Sequence, residues 1–117
     1  MSEENFLYRI SSSSEWFDFK KKKIMKCNSV DLESDFIHLS SEEQVNGTLK
    51  KYFKHKKNLY LIKLFKVDID EKIKWEKSSD NMFFPHYYGD IFIEYVNKVF
   101  KINFENEKVI LDESVFF

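Results

Sequence analysis

Phe36-Ile37-His38-Leu39-Ser40-Ser41-Glu42-Glu43-Gln44-Val45 reads as a short apolar strand that delivers one histidine, stops at a serine and turns directly into a helix. Phe36, Ile37 and Leu39 suit a pleated, half-buried surface. Ser40 takes the N-cap position, and Glu43 three residues later completes capping-box spacing. Because side chains alternate along a strand, His38 faces opposite to Ile37 and Leu39. A polar side chain at a strand end, beside free helix N–H groups, is a common way to build an anion or ligand site.

The flanking segments frame this unit. Phe6 to Ile10 predicts a first strand, and Ser12 with Glu15 marks the start of a helix over about 13–22 that carries Trp16, Phe17 and Phe19. The run Lys20 to Lys23 then falls at a helix end, where positive charge complements the dipole. Residues 26–35 carry no period and read as loop. The second helix is expected from Ser41 to about His55, with Val45, Leu49, Tyr52 and Phe53 on one face. Gly47 inside it predicts either a break or a close neighbour. The lysines between 50 and 57 read as a solvated face, with His55 exposed among them. Leu59 to Phe65 is the strongest strand, apolar enough to be covered on both faces. Asp68 to Asp70 reads as a turn, Ile73 to Glu76 as a short strand, and 82–89 as a proline-stiffened aromatic loop. Strand pattern resumes over 91–96, followed by a hairpin of 99–104 and 109–111 around Asn106.

With 117 residues and 43% hydrophobic content, the chain suits one domain, 1–117, that buries roughly two thirds of its unfolded surface. Thirteen Phe, six Tyr and two Trp make the core unusually aromatic. A net charge of -1 argues against a dedicated nucleic-acid binder. Cys27 is the only cysteine, so neither an intramolecular disulfide nor a multi-cysteine zinc site is available. No run reaches the roughly 20 apolar residues of a membrane span, and the acidic start lacks signal-peptide character. The expectation is a soluble, cytoplasmic protein with no membrane partner.

His38 and His86 are the candidate chemical residues. Each also fits an imidazole that merely bonds a backbone carbonyl. Tyr87 and Tyr88 beside His86 suit stacking on a flat ring or bonding to hydroxyls and phosphates, and equally an aromatic lid over the core. Glu76, directly after Trp75, fits a desolvated carboxyl with a raised pKa suited to acid–base work, and equally an ordinary surface carboxylate. His38, His86 and Glu76 lack the short helical spacings of strong metal motifs, so no metal is predicted.

Leu7-Tyr8-Arg9-Ile10, Glu15-Trp16, Asp35 to Ser40 with Glu43-Gln44-Val45, Trp75-Glu76 and Phe84-Pro85-His86-Tyr87-Tyr88-Gly89 together resemble the domain-of-unknown-function family 952, over about residues 6–96. The tail 97–117 lies mostly outside this resemblance, as a strand extension. The resemblance implies an α+β domain, with a small mixed or antiparallel sheet, two main helices and the ADP-ribosyltransferase-like fold. Within that fold the His-Leu-Ser strand end is similar to a motif of the RNA 2′-phosphotransferase branch, where two histidines grip NAD or an ADP-ribose unit. His38 and Ser40 match one motif, and Arg9 stands where that branch has the other histidine. The implied ligand is NAD or another ADP-ribose nucleotide, with RNA ends as the one nucleic-acid candidate. Three readings follow: an enzyme using His38, Glu76 and His86, with Arg9, Ser40, Tyr87 and Tyr88 as ligand contacts; a non-catalytic nucleotide or small-anion module using the same pocket; or an interaction domain that presents 82–89.

Overall fold

Strand β4, Leu59–Phe65, is the interior strand around which the rest is laid. It pairs antiparallel with β1 (Phe6–Ser12) on one side and β8 (Val96–Glu105) on the other, and β9 (Lys108–Ser114) completes the order β1-β4-β8-β9. A computed structural model describes residues 5–27, 35–78 and 81–114, so most of the loop expected over 26–35 lies outside the described residues.

Period-2 alternation divides the side chains of this sheet between two cores. Leu7, Tyr60, Ile62, Leu64 and Val99 point to one face, where helix α1 (Ser13–Lys22) lays Trp16 and Phe19 against them. Tyr8, Ile10, Leu59, Leu61 and Ile102 point to the other, covered by Val45 and Leu49 of helix α2 (Glu42–Tyr52). The continuous apolar run of β4 follows from this double coverage. Full burial of side chains such as Ile62 and Leu64 contributes roughly 1.5–3 kcal/mol each.

A second antiparallel sheet has the order β3-β6-β5, with β3 Ile37–His38, β6 Phe83–Tyr87 and β5 Ile73–Lys77. Its inner face adds Ile37, Tyr87 and the partly buried Ile73 to the first core. Just beyond β3, Ser40 and Tyr8 exchange two backbone hydrogen bonds of 2.8 Å, which stitch this sheet to the free edge of β1. A two-stranded ribbon of β2 (Ile24–Met25) and β7 (Ile91–Phe92) and the one-turn helix α3 (Lys66–Ile69) complete the α+β arrangement.

Several expectations are corrected. The cap of α2 is Ser41, one residue later than Ser40, because Ser40 is held in the bridge to Tyr8. Its partner is Gln44, not Glu43: Gln44 Oε1 accepts from the Ser41 N–H at 3.0 Å, while Nε2 donates to the carbonyl of Phe83 at 2.7 Å. The helix stops at Tyr52 rather than near His55. The turn at Asp68 is α3 continued by a 3-10 turn, and strand pattern over 91–96 is interrupted by a 3-10 turn at Ile93–Tyr95. The tail hairpin turns at Asn106 and Glu107, both with positive φ (49° and 67°), as a two-residue type I′ turn requires.

The aromatic stretch 82–89 is mostly a strand, not a loop. Pro85 disguises it, since proline within a run argues against an interior strand. The carbonyl of Pro85 accepts from Leu39 N–H. In an antiparallel ladder a residue's N and O face the same neighbour, so the missing donor of Pro85 faces the short β3 side and leaves its pairing with Trp75 of β5 intact.

The two glycines give opposite expectations. Gly47 neither breaks α2 nor meets a neighbour, since a Cβ there would find nothing within 4 Å. Gly47→Ala should therefore stabilise by about 0.5–1 kcal/mol. A Cβ on Gly89 would stand 2.8 Å from Lys72 Cδ and 3.1 Å from the Tyr87 ring. Gly89→Ala should cost about 1–3 kcal/mol through overpacking. Urea midpoints of the two variants, moving in opposite directions from the parent, check both signs.

Candidate functional site

The register of β3 on β6 sets His38 directly opposite His86, although 48 positions separate them in the sequence. The register of β5 on β6 adds Lys74 opposite His86 and Glu76 opposite Phe84. Alternation therefore collects His38, Phe84, His86, Lys74 and Glu76 on the outer face of the small sheet, together with Phe36 and Tyr88 just outside the strands. The inner face carries Ile37, Pro85 and Tyr87.

The two imidazole centroids lie 5.1 Å apart at 69°, and the Phe36 ring closes over both. It stacks on His86 at 4.0 Å and 15°, and stands 4.8 Å from His38 and 5.2 Å from Tyr88. His86 is 9% exposed. Its Nδ1 lies 2.8 Å from Glu76 Oε1, and the Tyr88 O–H donates to that same oxygen at 2.6 Å. An ionised carboxylate only accepts, so Nδ1 carries the hydrogen and Nε2 is the basic atom of the neutral ring.

The expected rise in the Glu76 pKa is reversed. The Tyr88 hydroxyl foremost, then His86, hold the carboxyl below its ordinary value, because both bonds favour the charged form. Their contribution is therefore present at neutral pH and is lost as pH falls through the lowered value. The same bond to Glu76 pushes the Tyr88 phenol up to about 12.

His38 and His86 open onto a cleft of about 510 Å3 where the two sheets and α2 meet. Arg9 and Ile10 of β1, Leu39 and Ser40 after β3, Phe84 and Ser78 from the β5–β6 hairpin, Thr48 and Tyr52 of α2, and Phe53 just after it form the remaining walls. Thr48 Oγ1 is shielded from solvent without a hydrogen-bond partner among the described residues, a placement that costs about 1–3 kcal/mol until something bonds it.

Arg9 is 7% exposed and heavily engaged. Its Nε and Nη2 donate to the two carboxylate oxygens of Glu15 at 3.0 and 2.8 Å, and Nη1 donates to the carbonyl of His38 at 3.1 Å. It thus enters the cleft as part of a neutralised pair that holds the His38 strand end in place. Tyr87 does not join the site. It is 3% exposed on the inner face, its O–H donates to the carbonyl of Asp90, and burial, the largest influence, raises its pKa to about 12. A phenol neutral in the fold but ionised at about pH 10 when unfolded makes the protein lose stability between about pH 10 and 12. Tyr87→Phe should flatten that loss, measured as urea midpoints at pH 8 and 11.

His38, His86, Glu76 and Tyr88 are thus brought together as the sequence suggested, with Ser40 and Arg9 on the cleft wall and Tyr87 excluded. Phe36, Thr48 and Ser78 were missed. Alternation with His38 already placed Phe36 on the site face; nothing local marks the other two. Among the described residues, no helix is long and apolar enough to cross a membrane.

No curated protein matches this sequence. Among solved structures, the crystal structure of protein CC0527 from Caulobacter crescentus is 32% identical, with a TM-score of 0.78 over 89% of this chain and 91% of that one. A solution NMR structure of CC0527 gives 31% identity and the same TM-score over 90% of each chain. The model of the family described as "Protein of unknown function (DUF952)" matches residues 10–99, and the chain belongs to that family.

Proposed function

We propose that the cleft binds a nucleotide of the NAD or ADP-ribose type and that His86 acts on it as a general base. The observation that carries this reading is the facing imidazole pair, one member of which is clamped by a carboxylate. A carboxylate on Nδ1 fixes the tautomer, directs the ring and stabilises the imidazolium that forms when Nε2 takes a proton. Cleavage of a ribosyl–nitrogen bond builds positive charge on the sugar as the base departs with the bonding electrons. His86 would accept the proton of the attacking water or hydroxyl, and His38 would bond a ribose hydroxyl. Glu76 serves as a positioning residue, because its carboxylate is bonded to His86 and Tyr88. The aromatic and aliphatic walls suit a base ring, and the Thr48 hydroxyl, without a hydrogen-bond partner among the described residues, suits a polar atom upon it. The ADP-ribosyltransferase-like fold implied by the sequence resemblance belongs to the same proposal.

Binding without turnover is the second reading, favoured by Arg9. Where the resembled branch places a ligand-gripping histidine, this chain has a guanidinium already held by Glu15 and the His38 carbonyl. The interaction-domain reading has less support, since 83–87 is a paired strand and Tyr87 is buried.

The test is a melting-temperature titration with NAD, ADP-ribose and 2′-phosphorylated RNA ends, followed by product analysis. A ligand at 100 times its Kd adds about 2.7 kcal/mol of stability. Failure of all three to shift the transition would reject the nucleotide reading. A shift without product would select the binding module.

A further inference from the structure

We infer that the basic segment 50–57 at the mouth of the cleft holds the phosphates of its ligand and so sets the direction in which the nucleotide lies. The inference rests on the nucleotide reading above and adds the ligand's orientation and the groups that hold its phosphates.

The segment Lys50-Lys51-Tyr52-Phe53-Lys54-His55-Lys56-Lys57 has five lysines and no acidic residue. With a net charge of -1 for the whole chain, the remainder is net acidic, so positive charge is concentrated here. By itself such a run is a solvated helix end. The tertiary structure gives it a location: Tyr52 and Phe53, in its middle, form part of the cleft wall. Lys51 Nζ stands 5.1 Å from the Tyr52 ring centre, and Lys56 Nζ 5.4 Å from that of Phe53. Two ammonium groups are therefore carried on the very rings that border the opening. Lys54 turns elsewhere, 3.6 Å from Glu107 in the β8–β9 turn.

Inside the cleft the charge is different in kind. Arg9 is matched by Glu15, and the remaining polar groups on the walls are imidazoles and hydroxyls. An uncharged base and ribose suit that interior, and a phosphate chain suits the lysine-bearing mouth. The ligand then lies with its sugar at His38 and His86 and its phosphates toward Lys51 and Lys56. A free dinucleotide and the phosphorylated end of an RNA share this chemistry.

Calorimetric titrations of the full chain with adenosine, ADP, ADP-ribose and a short RNA with a phosphorylated end, at about 50 and 200 mM salt, test it. ADP and ADP-ribose should bind at least about tenfold more tightly than adenosine at the lower salt, and that advantage should shrink at the higher. Lys51→Glu with Lys56→Glu should weaken ADP-ribose about tenfold or more and leave adenosine unchanged, whereas the charge-matched Lys21→Glu with Lys22→Glu on α1 should change neither. Because all four lysines are exposed, unchanged melting curves identify folded variants. Equal affinity for adenosine and ADP-ribose, or equal behaviour of the two double variants, overturns the assignment and leaves the cleft reading intact. No binding by any of the four compounds takes the cleft reading down as well. Comparison of the RNA with ADP-ribose identifies which source of phosphate the protein prefers.

Discussion

Replacement of Arg9 by alanine is expected to destabilise the fold by about 3–5 kcal/mol, the usual cost of stranding one partner of a buried ion pair. The side chains of Arg9 and Glu15 are 8% and 18% exposed, and the pair is two-pronged. Without the guanidinium, the Glu15 carboxylate at the start of α1 loses two charge-assisted bonds, and the His38 carbonyl loses its donor. Against a total stability of roughly 5–15 kcal/mol, that loss is large enough to unfold part of the population. Lysine should not rescue, because a single ammonium cannot reproduce the fork. Removing both charges with Arg9→Met and Glu15→Leu should be far milder, since no carboxylate is left without its partner. Urea unfolding of the single and double variants decides it. Equal losses in the two, or a loss below about 1 kcal/mol for Arg9→Ala, would mean that the pair is ornamental.

His86→Ala carries the largest functional expectation, a fall in turnover of about 10²–10⁴ on whichever ADP-ribose compound proves to be a substrate. Glu76→Gln should lower turnover too while the imidazole remains, because a neutral amide neither stabilises the imidazolium nor dictates which ring nitrogen holds the proton. The distinguishing readout is rescue by the conservative variant. Glu76→Asp restores a carboxylate and should recover part of the turnover that Glu76→Gln loses, an order that a role in packing alone does not produce. Tyr88→Phe removes the strongest influence lowering the Glu76 pKa, and should return that carboxyl toward its ordinary range while keeping the His86 contact. Full turnover in both His86→Ala and Glu76→Gln would reduce the constellation to a structural cluster. The residue whose loss should matter most for chemistry is thus separate from the one whose loss matters most for folding.

Much of this was legible in the chain, because much of it is local. The continuous apolar run at Leu59–Phe65 announced a doubly covered strand, and Ser12 with its partner three residues on announced α1. Alternation placed His38 away from Ile37 and Leu39. Positions 10–99, which match the family, cover most of the region where the resemblance was expected. What local pattern got wrong has local causes. Two serines in succession left the cap ambiguous by one residue, and the ambiguity was settled by Tyr8, a strand away. Pro85 hid a strand whose alternation would have sent Tyr87 inward and Tyr88 outward.

Periodicity and capping thus determined α1, α2, the central β4 and the two histidine-bearing segments, since each depends on side chains within a turn or two of one another, while the α+β class was implied by the family resemblance. That the segments meet, that Glu76 clamps one imidazole with its pKa lowered instead of raised, that Glu15 occupies Arg9, and that a lysine-rich helix end borders the cleft were decided by the tertiary structure alone. His38 and His86 stand 48 positions apart, and even Arg9 with Glu15 or Glu76 with His86, close in the chain, sit on different elements whose relative placement no local period encodes.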